Sequence, residues 1–177
     1  MKFVSDIRLL LLGIWLGAAC FFIGVAQVAF AVLPQHELAG AVVGRTLAIL
    51  NYAGLGIGVI LILMSVLAAR NTSRLLLWLE RFLLLITAAA CAVGQFVIGW
   101  WILLVRTQMG KPIDEVASDD PLRIQFNQLH QYSEWLLVAA MAAALIAFFI
   151  IANRKFASAD KKVTADPFDF SKDFKKS

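Results

Sequence analysis

LLLLGIWLGAACFFIGVAQVAFAVLPQH, residues Leu9–His36, contains no Asp, Glu, Lys or Arg. A helix needs about 20 mostly apolar residues to cross a hydrocarbon layer about 30 Å thick. The stretch therefore predicts a membrane-spanning helix, reaching from about Ile7 to Leu33 and ending at Pro34. Three more charge-free runs follow, at Thr46–Ala69, Phe82–Val105 and Trp135–Asn153. The composition agrees with them. Hydrophobic residues make up 61% of the 177 and charged residues 16%, against about 45–50% and about 25% in a soluble domain. The fold class this predicts is all-α: a bundle of four transmembrane helices with a long loop between the third and fourth.

The first run is also compatible with a cleaved signal peptide, since Ala29-Phe30-Ala31 has the small residues of a cleavage site. Signal-peptide apolar cores are about 7–15 residues long. This run is far longer, so we expect the helix to be retained.

An even number of spans puts the N-terminus, the 70–81 connection and the C-terminal tail on one side. That side holds Lys2, Arg8, Arg70, Arg74 and Arg81, and seven Lys/Arg from Arg154 onward. The other side has Arg45, Arg106, Lys111 and Arg123 against six acids. The positive-inside rule then predicts both termini in the cytoplasm, with the 106–134 segment outside. The net charge of +4 follows from this asymmetry and implies no nucleic-acid partner. The expected location is the inner (plasma) membrane, as a multi-pass protein.

Two units are expected along the chain: residues 1–153 as the membrane domain and 154–177 as a charged, flexible cytoplasmic tail. The tail carries Phe156, Phe168, Phe170 and Phe174 but too few apolar residues to fold alone. Its DPFDFSKDF segment is a candidate for partner binding. Within the bundle, the second helix is expected over about Leu38–Ala69. The third is expected to begin near Leu75, with Glu80 and Arg81 at the inner interface, and to end around Trp100-Trp101, because tryptophans favour the headgroup level. Asp119 or Asp120 can cap the fourth helix with Pro121 at its first position. Gly13/Gly17, Gly54/Gly58, Ala90/Gly94 and Ala139/Ala143/Ala147 are spaced for close helix packing, within the chain or with a second copy. Cys20 and Cys91 fall near mid-span and are expected to act as small core hydrophobes.

The fourth helix carries the most polar chemistry. Arg123, Asn127, His130 and Glu134 recur along one side at i, i+4, i+7 and i+11, beside a second row of Leu122, Phe126, Leu129 and Ser133. With His36 and Arg45 from the start of the second helix, the candidate cluster is His36, Arg45, Arg123, Asn127, His130, Ser133 and Glu134. Ionisable groups near hydrocarbon cost free energy and mark functional sites or partners. An Arg45–Glu134 pair across helices two and four would lower that cost. His130 and Glu134 at i, i+4 are spaced to chelate, and two histidines can hold a haem axially. Zinc sites generally need three or four placed ligands, so no cofactor or metal is expected, with haem or copper as the alternative. No nucleophile–base–acid set, P-loop, CxxC or HExxH occurs, which argues against an enzyme.

The string Arg123-x2-Phe126-x2-Leu129-His130-x2-Ser133 resembles the TMEM205-like (DUF4149) membrane protein family. So does Ala39-Gly40 to Gly44-Arg45, followed by Tyr52. The resemblance covers about the first 150 residues and implies a four-helix membrane protein; the family's animal members are associated with drug resistance. Taken together, the sequence predicts a non-enzymatic accessory or scaffold subunit acting through its bundle and outer loops. Its partners would be the lipid bilayer and other membrane subunits or itself. The alternatives are binding or transport of a small ligand or ion at an outer mouth of His36, Arg45, His130 and Glu134, and a haem- or copper-binding module.

Overall fold

A computed structural model describes residues 2–67 and 74–163 of the chain, and the side chains of 3–66 and 74–153. Helix α1 covers Lys2–Val32, α2 His36–Leu67 and α3 Arg74–Ala92. A π-helical turn, Val93–Ile98, joins α3 to α4 (Gly99–Met109), and these three form one continuous span. A 3-10 turn at Ile113–Glu115 leads to α5, Pro121–Val163. Every described element is a helix. Four helices are long and apolar enough to cross a membrane: Phe3–Val32, His36–Val66, Arg74–Met109 and Pro121–Asn153. The chain is an all-α, multi-pass membrane protein.

Side-chain chemistry sets the ends of the helices. Asp120 Oδ1 accepts the Leu122 N–H at 2.8 Å, the N-cap bond expected when Pro121 takes the first helical position. Helix α4 stops at Gly110, which adopts φ +61°, a left-handed conformation that costs glycine least. The third span runs two turns past Trp100-Trp101, where an end was expected. Those tryptophans lie on its outer surface, 59% and 52% exposed, and the helix continues past them to Met109. Helix α5 continues to Val163, with its long apolar part at Pro121–Asn153; residues 164–177, with the DPFDFSKDF segment, lie outside the described residues.

The helices form a ring in which α1 packs on α2 and α5, and α3 packs on the same two. Helices α1 and α3 thus face each other across a diagonal. Inward rows recur at helical spacing: Arg8, Leu12, Trp15, Ala19 and Phe22 on α1, and Ala140, Ala143, Ala144, Ala147 and Ile151 on α5. Large side chains such as Phe21, Leu75 and Trp135 point outward, as a lipid-facing belt requires. In lipid, hydrophobic burial gives little drive for helix association, so close backbone approach matters. A Cβ added at Gly54 would stand 2.6 Å from Cys91 Sγ and 2.7 Å from Trp15 Nε1, and one at Gly58 2.9 Å from the Ala88 Cβ. These glycines admit α1 and α3 against α2. At Gly17 nothing lies within 4 Å, so the Gly13/Gly17 pair is no symmetrical contact site within the chain. Cys91 is buried as expected, whereas Cys20 faces outward.

Candidate functional site

Polar side chains gather at both ends of the bundle. The loop end, formed by the α1–α2 turn and residues 106–134, holds residues singled out in the sequence, but not as one cluster. Its organising residue is Arg123, on the first turns of α5 (Pro121–Val163). The Arg123 guanidinium donates through Nη1 to the carbonyl of Ile113 at 2.7 Å and to that of Val116. Both carbonyls belong to the 3-10 turn and its exit, so α5 holds the loop against itself. A hydrogen bond to a charged donor contributes about 1.5–3 kcal/mol when partly sheltered.

Two further contacts tie the start of α2 to the same region. Arg106 Nη2 on α4 donates to Glu37 Oε1 at 2.7 Å, and His36 Nδ1 lies 3.2 Å from Asp114 Oδ1. Both pairs are substantially exposed, and exposed pairs contribute only about 0–1 kcal/mol each. Together with Arg123 they link α2, α4, the loop and α5. Glu37, Arg106 and Asp114 were absent from the cluster read in the sequence. Their signal was their position: each is a charge at or beyond the end of a charge-free run, within reach of an opposite one.

Helix α5 divides the motif residues as its periodicity demands. Leu129 and Ser133 are buried, facing the bundle, while Asn127 and Glu134 are exposed. His130 stacks on Phe126, with ring centroids 6.3 Å apart and planes 3° apart. Its Nε2 lies 3.5 Å from Glu134 Oε1. The exposed side forms an open groove of about 480 Å³ lined by Ile124, Asn127, Gln128, His130, Gln131 and Glu134. Arg45 is exposed on α2, and among the described residues it makes no ion pair with Glu134. The pair expected between the second and fourth spans does not form: α2 and α5 stand at opposite corners of the ring, and Glu134 lies beside His130. Neither is there, among the described residues, a convergence of three or more His, Cys, Asp or Glu side chains suited to a metal.

The opposite end carries a pair that sequence reasoning missed. Arg8 on α1 (Lys2–Val32) donates through Nη2 to Glu80 Oε1 on α3. Glu80 was expected at an interface but is 0% exposed, and Arg8 is 3% exposed. Beside them, Arg81 donates to the Ser65 hydroxyl at 3.3 Å and to its carbonyl at 3.0 Å, tying α3 to the last turn of α2. The signal was periodicity: Arg8 is in phase with Leu12 and Trp15, and Glu80 with Leu84 and Thr87, so each sits on the inward row.

The family model of the domain of unknown function DUF4149 matches residues 10–111, from α1 to just past the end of α4. The Arg123–Ser133 string lies beyond that segment. No curated protein and no solved structure matches the chain. Since the matched segment is more than half the chain and carries three of its four spans, the protein belongs to the DUF4149 family.

Proposed function

We propose that this protein is a non-enzymatic accessory or scaffold subunit of a membrane complex, of TMEM205-like type. On this reading it sits in the inner membrane with both termini in the cytoplasm, as the concentration of Lys and Arg at that end favours. The observation that carries the proposal is the engagement of Arg123. Its guanidinium is committed to the Ile113 and Val116 carbonyls, and Arg106 is committed to Glu37. Cations used in this way shape a fixed outer surface and are not held ready for a mobile substrate. Such a surface, on a bundle clad in apolar side chains, suits docking to other membrane helices and their loops.

The test is purification of the tagged full chain from native membranes in mild detergent. Companion proteins should accompany it in constant ratio, survive His130→Ala, and be lost when Arg123→Ala loosens the loop. A chain that emerges alone from every detergent contradicts the proposal.

The groove beside His130 supports a second reading, a site for a small polar ligand or ion. Five of its six lining residues are polar. Flux into liposomes that depends on His130 would favour this reading over the scaffold.

A further inference from the structure

A cation at the loop end faces away from the bundle. Arg45 is exposed on α2 (His36–Leu67), at the rim of the charge-free run that begins with Thr46. Acids of this end are turned elsewhere. Glu37 accepts from Arg106 at 2.7 Å, Asp114 Oδ1 stands 3.2 Å from His36 Nδ1, and Glu134 lies beside His130. Ile49, Tyr52 and Gly56 follow Arg45 on the same side of α2, at i+4, i+7 and i+11, and all are exposed. A Cβ added at Gly56 would meet nothing within 4 Å, so the stripe continues past Tyr52 as a shallow apolar track.

The third span supplies a flank to this track. It runs antiparallel to α2, with Gly58 against Ala88 and Gly54 against Cys91. Continued toward the loop end, that register sets Arg45 level with Trp100 and Trp101, 59% and 52% exposed. The π turn Val93–Ile98 carries Phe96, whose ring meets that of Tyr52 edge-on, with centroids 5.8 Å apart. Tryptophans favour the headgroup level of a bilayer. A guanidinium at that level can hold phosphate oxygens through paired N–H donors. We propose that Arg45 and the stripe of Ile49, Tyr52 and Gly56, flanked by Phe96 and Trp100, form a binding site for one anionic phospholipid. Its phosphate lies on the guanidinium and an acyl chain follows α2. A net negative headgroup fits better than a zwitterionic one, because the acids named above already face other cations. The site uses none of the Arg123 contacts, so it stands apart from the scaffold reading.

Quenching of tryptophan fluorescence by brominated lipids tests this on the full chain in phosphatidylcholine vesicles. Brominated phosphatidylglycerol or brominated phosphatidylcholine is included in equal amounts. Phosphatidylglycerol should quench several-fold more effectively, and the excess should vanish when Trp100→Phe and Trp101→Phe are combined, which assigns it. Arg45→Gln should abolish the excess, whereas Arg74→Gln, at the opposite end of the bundle, should leave it unchanged. Equal quenching by the two lipids overturns the proposal, as does an excess that survives Arg45→Gln. Shielding of Trp100 and Trp101 from both lipids would mean that a protein covers this face, and overturns it equally. If Arg45→Gln does not fold, competition in the unaltered chain decides. Unlabelled phosphatidylglycerol must then relieve the quenching more than unlabelled phosphatidylcholine does, and equal relief overturns the proposal.

Discussion

Arg8 and Glu80 meet across the diagonal of the bundle, joining two helices that otherwise barely touch. Taking both charges out of water is expensive, and their attraction offsets this only when the pair is intact. Losing one partner leaves the other charge buried and less fully compensated. Arg8→Ala or Glu80→Ala should each destabilise the protein by about 3–5 kcal/mol. The double substitution Arg8→Met with Glu80→Leu should restore most of that loss. Thermal unfolding in detergent reads both, and additive losses in the double variant would disprove the pairing.

Close packing at Gly54 makes a second claim. Gly54→Ala puts a methyl against Cys91 and Trp15, and overpacking of this kind costs about 1–3 kcal/mol. Gly17→Ala meets nothing and should leave stability unchanged within about 0.5 kcal/mol. Equal effects at the two glycines would contradict the helix arrangement.

Removing the Arg123 guanidinium should release residues 110–120. In Arg123→Ala, limited proteolysis within that loop should quicken several-fold while the spans stay protected. Arg123→Lys should restore protection only in part, since an ammonium presents donors in a different geometry from the planar fork. Asp120→Ala should cost about 1 kcal/mol through loss of the N-cap.

Arg45 and Glu134 should behave independently. A double-mutant cycle with Arg45→Ala and Glu134→Ala should return a coupling energy within about 0.3 kcal/mol of zero. A coupling near 1 kcal/mol would place these side chains together after all.

Much of the fold was legible because membranes impose simple rules. Charge-free runs located all four spans, and Asp-Asp-Pro at 119–121 marked the start of α5. The two rows on that helix separated as its phase required, with Leu129 and Ser133 buried and Asn127 and Glu134 exposed. What escaped was pairing in three dimensions. Arg8 and Glu80 are 72 residues apart, and nothing local says that α1 and α3 lie diagonally. The π turn was equally silent, since Val93–Ile98 contains no residue type that forces a change of register. The loop clasp was half legible: Arg123 stood out by its motif, while Glu37, Arg106 and Asp114 resembled ordinary solvated charges.

On the proposed function, the loop end is a fastened surface for partner subunits. Quantitative purification of the tagged chain from native membranes tests it most directly, comparing the unaltered protein, His130→Ala and Arg123→Ala. A companion should appear in fixed ratio with the first two and be lost with the third. A protein that purifies alone in all three, yet supports liposome flux that His130→Ala abolishes, would contradict it.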